Sequence, residues 1–409
     1  MSKTSYPKNK INILLLENIN PGAIQVFKEH GYERITALKA ALTEDELLSR
    51  IGKVHLLGIR SKTQITARVI EAAEKLLGLG CFCIGTNQVD LTAAMRKGVA
   101  VFNSPYSNTR SVAELVIGAA IMLIRSIPEK NKFAHEGTWM KEASNSHELR
   151  GKTIGIVGYG NIGSQVSVMA ESLGMRVVYY DTQKKLPLGN AIVMPSLTEL
   201  LQCADIVTIH TPGIASTHNL ISKKRITEFK KGAILINYAR GEVVDLNALK
   251  TALEKGNLSG AAIDVYPDEP AANGDPFDCP LRHLPNVLLT PHIGGSTEEA
   301  QVNIGLDVST RLIQFAETGI TSGTLSIPEL NPPVQENTHR ILHIHKNVPG
   351  VLAEINAALS GHGINILGQY LKTNQDVGYA VLDIGAEVSK DAAELLRHVK
   401  ETIKVRLVY

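Results

Sequence analysis

Three residues in the second half of the chain carry chemistry that few side chains supply. Each follows an apolar stretch: Arg240 in Asn237-Tyr-Ala-Arg-Gly241, Glu269 in Pro267-Asp-Glu-Pro270, and His292 in Thr290-Pro-His-Ile-Gly-Gly295. A histidine titrates near neutrality and can take the proton of an alcohol. A carboxylate beside it would hold the ring in one tautomer and stabilise the imidazolium. The fork of Arg240 suits a substrate carboxylate bidentately, and its charge can polarise the neighbouring carbonyl. Taken singly, a histidine after a strand is more often structural than catalytic. The order Arg, Glu, His, each at a strand end behind a nucleotide fingerprint, points to proton removal while hydride leaves the same carbon.

The fingerprint is Gly158-Tyr-Gly160-Asn161-Ile162-Gly163, between an apolar strand at 153–157 and a helical pattern. Glycines there permit a tight turn, close approach of backbone N–H groups to a pyrophosphate, and helix–strand packing. The helix N-terminus favours the anion. Asp181 closes the next apolar stretch, where a carboxylate accepts from ribose hydroxyls and repels a 2′-phosphate, so NAD is favoured over NADP. Lys184 and Lys185 follow closely and leave some NADP tolerance open. Asp264 ends a further strand, facing a nicotinamide or simply capping a turn.

Groups at strand ends imply a parallel sheet. Residues 11–16, 55–59 and 99–102 read as strands, with a helix at 22–30 and a long helix from about 111 to near Pro128. Further strands read at 153–157, 176–180, 205–210, 233–237, 260–265 and 287–290, six in all, as in a doubly wound dinucleotide fold. Asn331-Pro-Pro333 reads as a linker. The tail reads β-α-β-β-α-β at 340–345, 351–360, 364–372, 379–384, 391–400 and 404–409, a ferredoxin-like split βαβ.

A chain of 409 residues needs several cores. The net charge of +2 supplies no field for nucleic acid or an anionic membrane. The longest apolar run, 115–124, is about half of what a bilayer crossing requires. No secretory signal is expected, and four cysteines make neither a disulfide framework nor a metal site, which fits a reducing cytoplasm.

These residues resemble the D-isomer-specific 2-hydroxyacid dehydrogenase family. The likeness rests on the glycine loop, on Asn237 to Gly241, on Ala261-Ala-Ile-Asp264-Val through Glu269-Pro270, and on Leu289 to Gly295. It is similar to the branch with a C-terminal ACT domain through Gly80-Cys-Phe-Cys-Ile-Gly-Thr-Asn-Gln-Val-Asp90, Phe102-Asn-Ser-Pro and Asn108-Thr-Arg-Ser-Val-Ala-Glu114. The resemblance implies an α/β fold of two doubly wound parallel-sheet Rossmann-like domains plus a C-terminal ferredoxin-like (ACT) α+β domain. Its implied boundaries are a substrate-binding domain at 1–105 returning at 298–330, an NAD-binding domain at 106–297, a linker at 331–338 and the ACT domain at 339–409.

It further implies NAD-dependent oxidation of 3-phospho-D-glycerate to 3-phosphohydroxypyruvate, opening serine biosynthesis, with Arg240, Glu269 and His292 in the roles above and the site in the cleft between the two domains. Cofactor contacts would come from Gly158, Gly160, Asn161, Ile162, Gly163, Asp181, Tyr238, Ala239, Arg240, Asp264, His292, Ile293, Gly294 and Gly295. Arg60, Ser61, Lys62, Asn108 and Arg240 would bind the substrate, although relatives tend to carry arginine where Lys62 stands, and lysine lacks the fork. Trp139 and Lys141 would reach a neighbouring subunit. His345, Asn347 and Asn365 would bind L-serine as inhibitor, in a cytoplasmic homotetramer. The alternatives are another 2-hydroxy or 2-oxo acid such as 2-oxoglutarate, a non-catalytic NAD-binding sensor, or an effector other than serine.

Overall fold

The computed structural model describes residues 6–270 and 274–408. The chain forms two compact units, one of residues up to 107 together with those from 301 onward, the other of residues 108–300.

In the first unit, β1 (Asn12–Leu15), β2 (Arg34–Ala37), β3 (Leu56–Ile59), β4 (Gly78–Cys81) and β5 (Ala100–Asn103) form a parallel sheet in the order β2-β1-β3-β4-β5. Two of these strands are absent from the sequence reading. β2 lies at the sheet edge with mostly exposed residues, so no apolar pattern marks it. β4 contains Gly78 and Gly80 because the helix Glu298–Thr318 lies against it. A Cβ at Gly80 would meet Val308 at 2.5 Å.

The tail forms an antiparallel sheet in the order β14-β15-β13-β16, from β13 (Thr338–Lys346), β14 (Ile366–Thr373), β15 (Val377–Gly385) and β16 (Thr402–Val408). Helices Val351–Ser360 and Ser389–Arg397 cover the face carrying Ile341, Leu382 and Ile384. Leu342, Ile344, Tyr379 and Val381 alternate onto the other face and share a core with Phe315, Ala316 and Phe102. Burial of both faces leaves β15 almost wholly apolar.

The end of the helix Glu298–Thr318 is covered by the tail. Arg340 donates to Thr318 O at 3.0 Å and to Pro333 O, Tyr379 Oη donates to Gly319 O at 2.6 Å, and Arg406 donates to the carbonyls of Phe315 and Ala316. The bonds to Ala316, Thr318 and Gly319 satisfy carbonyls that a helix end leaves open, whereas Pro333 lies in the segment before β13. Arg340 also pairs with buried Asp383 at 2.7 and 2.9 Å.

The second unit is a seven-stranded parallel sheet of β6 (Thr153–Val157), β7 (Arg176–Tyr180), β8 (Ile192–Val193), β9 (Ile206–Ile209), β10 (Ala233–Asn237), β11 (Leu258–Ile263) and β12 (Val287–Leu289), ordered β12-β11-β10-β9-β6-β7-β8. The two-residue edge strand β8 is too short to read from sequence. The strand order reverses at β6, and a ligand crevice opens at such a switch point. The single helix expected to end near Pro128 is two, Thr109–Ile124 and Ile127–His135, bent by 69°. Ser126 takes the left-handed conformation at the break, and Pro128 sits in the first turn of the second helix, where its missing N–H costs nothing. Among the described residues, no single helix is long and apolar enough to cross a membrane.

Candidate active site

β6 delivers the glycine loop at the switch point. Gly158 has φ +93°, and a Cβ there would stand 2.7 Å from the His210 carbonyl. A Cβ at Gly163 would lie 2.2 Å from Gly158 O, so only glycine lets the helix Asn161–Ser172 start this close to the strand. Gly160, by contrast, opens onto free space, and no side chain caps the helix it precedes. A bare helix N-terminus behind an open glycine fits a pyrophosphate. Asn161 and Ile162 begin that helix.

Asp181 follows β7. Its Oδ2 accepts the Tyr159 N–H and its Oδ1 the Gln183 N–H, both at 2.8 Å. The carboxylate is thereby tied to the glycine loop.

At the ends of β10, β11 and β12 the three chemically distinctive residues come forward. Asn237 holds the turn after β10, donating from its side chain to Arg240 O and accepting the Ala239 N–H. Arg240 donates from its guanidinium to Ala239 O at 2.7 Å. Tyr238 and Ala239 are buried, and burial pushes the Tyr238 phenol pKa up. A Cβ at Gly241 would strike the Tyr266 backbone at 2.0 Å, which brings this turn against the segment leading to Glu269.

Glu269 Oε2 lies 2.8 Å from His292 Nδ1, and Oε1 accepts the Tyr266 N–H at 3.1 Å. Partial burial pushes the carboxyl pKa up, but the hydrogen bonds from His292 and Tyr266 outweigh it and hold the group below the usual range. The bond to Glu269 lifts the imidazole above its ordinary value, against partial burial, with the Glu269 and Asp264 charges adding and Arg240 opposing. His292 itself has φ +53°, a left-handed conformation uncommon for non-glycine residues but one that histidine, asparagine and aspartate enter more readily than most.

Asp264 explains how that conformation is held. It is buried, and its carboxylate accepts the Thr290 hydroxyl at 2.6 Å, the Ile293 N–H at 2.8 Å and the Gly294 N–H at 2.7 Å. Its place is therefore beneath the His292 loop, bonding the Thr290 side chain before the ring and two backbone N–H groups after it. Asn108 packs against Gly295, and its buried Oδ1 has no partner. That leaves an acceptor beside the loop which a ligand donor would satisfy. A cavity of about 410 Å³ beside this region, lined by His218, Glu242, Asp245, Tyr266 and Asp278, contains none of the three catalytic candidates.

In the first unit, Arg60, Ser61 and Lys62 form a loop after β3. Sequence reasoning overlooked its organiser, buried Glu17, whose carboxylate accepts the N–H groups of Arg60, Lys62 and Thr63 at 3.2, 2.9 and 2.8 Å. The available signal was an acid directly after the apolar run 11–16. Gln88 fixes the Arg60 carbonyl at 2.6 Å.

In the tail, His345 is buried at the end of β13 opposite Gly378. Its Nδ1 lies 2.8 Å from Lys346 O and its Nε2 has no partner. Asn347 donates to Asn374 O at 2.7 Å, and exposed Asn365 directly precedes β14. Trp139 and Lys141 are exposed. Among the described residues, no group of three or more His, Cys, Asp or Glu could hold a metal.

The model of the D-isomer specific 2-hydroxyacid dehydrogenase NAD-binding domain matches residues 117–294, and that of the AHAS small subunit-like ACT domain matches residues 341–406. The chain is 50% identical to D-3-phosphoglycerate dehydrogenase of Haemophilus influenzae, and 49% identical to that of Escherichia coli K12. Both alignments cover 100% of each chain. Among solved structures, D-2-hydroxyisocaproate dehydrogenase superposes with a TM-score of 0.70 at 26% identity, over 77% of this chain and 100% of the other. The TT0316 protein of Thermus thermophilus superposes at 0.66 with 34% identity, over 74% and 96%.

Proposed function

The chain belongs to the D-isomer specific 2-hydroxyacid dehydrogenase family, and from that membership we propose that it oxidises 3-phospho-D-glycerate to 3-phosphohydroxypyruvate, the opening step of L-serine synthesis. It is an oxidoreductase and its cofactor is NAD. The observation that carries the reading is the 2.8 Å pairing of His292 with Glu269 on a loop held by Asp264.

In the proposed reaction His292 Nε2 takes the substrate hydroxyl proton. Glu269 stabilises the resulting imidazolium, and Arg240 clamps the substrate carboxylate. When bound, NAD⁺ supplies the hydride acceptor. Gly158 to Gly163 would hold the coenzyme's pyrophosphate and Asp181 its ribose, with the turns after β10 and β12 contributing to the nicotinamide site. Arg60, Ser61, Lys62 and Asn108 bind the remaining anionic groups. The domain division is the one the resemblance implies, a substrate-binding domain interrupted by the NAD-binding domain and followed by the ACT domain.

L-Serine is the proposed inhibitor, bound through His345, Asn347 and Asn365. In support, the first two lie in the ACT match with Asn365, and the buried Nε2 of His345 lacks a partner. A cytoplasmic homotetramer is the proposed state, supported by four free cysteines and an 84%-exposed Trp139.

The test is NADH formation from NAD⁺ and 3-phosphoglycerate, with and without L-serine. Turnover suppressed by serine is expected. Turnover indifferent to serine would remove the effector assignment. Absence of turnover with NAD binding intact would redirect the reading to other 2-oxo acids such as 2-oxoglutarate.

A further inference from the structure

Lys184 and Lys185 stand where a dinucleotide fold that accepts a 2′-phosphate places its cations. The structure shows both lysines on a loop that is fastened along its length. Tyr159, inside the glycine loop, is buried and stacks on Tyr179 of β7 with ring centroids 3.9 Å apart and planes 24° from parallel. Each phenol then reaches the loop after Asp181. Tyr179 Oη donates to Lys185 O at 3.0 Å, and Tyr159 Oη accepts the Leu188 N–H at 3.1 Å while donating to Ser167 Oγ at 2.9 Å. At its near end the loop is tied by the Gln183 N–H to Asp181 Oδ1, and at its far end by the Asn190 N–H to the Glu171 carboxylate. Lys185 Nζ is drawn back to Gln183 Oε1 at 3.1 Å.

We propose that the stacked pair Tyr159–Tyr179 is a coenzyme-specificity determinant, holding the loop 182–188 so that Lys184 and Lys185 do not turn onto a 2′-phosphate. Asp181 repels that phosphate at close range. Two ammonium groups within reach would offset the repulsion by an opposite charge and by charge-assisted hydrogen bonds. The tyrosines prevent this by fixing the backbone on which the lysines ride. The backbone on one side of Lys184 is held at the Gln183 N–H and on the other at the Lys185 carbonyl. Neither tyrosine needs to touch the coenzyme, so both are positioning residues.

The inference rests on NAD being the cofactor of this domain, so the wild-type chain is measured first. Dissociation constants for NADH and NADPH are determined by calorimetry, and amide hydrogen exchange is followed over 182–190. The variant Tyr159→Phe/Tyr179→Phe keeps the ring stack and removes both hydroxyls. Its exchange across the loop should quicken, and the ratio of Kd for NADPH to Kd for NADH should fall about tenfold, as expected for the loss of one or two hydrogen bonds. Gln183→Ala, which releases the Lys185 ammonium without touching the stack, should lower the ratio in the same direction, and it carries the test if the double variant does not fold. A ratio unchanged within about twofold in the variant that folds overturns the proposal, whether or not exchange quickens. A wild-type chain that binds neither coenzyme fails at the cofactor instead. One that binds both equally leaves no preference for the tyrosines to set, and it too overturns the proposal.

Discussion

His292 Nδ1 lies 2.8 Å from one oxygen of Glu269, whose other oxygen is anchored by the Tyr266 N–H, so a fixed carboxylate orients the ring. That bond also raises the imidazole pKa. Oxidation needs the neutral ring, so kcat/KM for oxidation should rise with pH through an apparent pKa above about 6.5, and reduction should fall through the same inflection. Glu269→Gln removes the charge that favours the imidazolium. The inflection then moves to lower pH, and the maximal rate drops about tenfold or more. A pH profile unmoved by the substitution would end the assignment of Glu269.

The left-handed backbone of His292 decides which substitution tests it cleanly. Asparagine tolerates that conformation, so His292→Asn should leave Tm and the Kd for NADH nearly unchanged while turnover falls by about 10²- to 10⁴-fold. If turnover persists near the wild-type rate, the proton is taken elsewhere.

Asp264 accepts three hydrogen bonds from the His292 loop. Asp264→Asn turns one of its acceptor oxygens into a donor facing a donor. The expected cost is about 1–3 kcal/mol in denaturant unfolding, with faster amide exchange at 293 and 294. Unaltered exchange at those two amides would show that the loop is held by other means.

The Arg340–Asp383 pair is buried on both sides. Asp383→Ala leaves the guanidinium uncompensated and should cost about 3–5 kcal/mol of stability, with little response to added salt. Thermal melts at two salt concentrations check both statements. A loss below about 1 kcal/mol would place the pair with exposed ones.

Much of this site was legible because its chemistry uses residue types that are uncommon after strands. Gly158 to Gly163 showed as a glycine pattern between two periodicities, and Arg240, Glu269 and His292 as three reactive groups after apolar runs. What stayed hidden depends on contacts between distant segments. Glu17 looked like the end of a strand, yet it holds Arg60 to Thr63 from more than forty positions away. Asp264 divided evenly between two readings until its three donors were seen. The Tyr159–Tyr179 stack joins the glycine loop to β7 and has no local signature. β2 escaped because it buries little, and the break at Ser126 because its proline begins a helix rather than ending one.

The caps that Arg340, Tyr379 and Arg406 place on the helix Glu298–Thr318 bear on how such a tail can be exchanged. A sensor joined only by a tether could be cut off or swapped for another without the rest of the molecule noticing. Here the tail is bonded into the helix end itself. A chain ending before β13 would uncover the helix's last carbonyls and the apolar face of Phe315 together, so losing the regulator would carry a folding defect. Any replacement would have to bring its own arginines and phenol to the same helix end. The helix end and the tail therefore stand or fall as one folding unit.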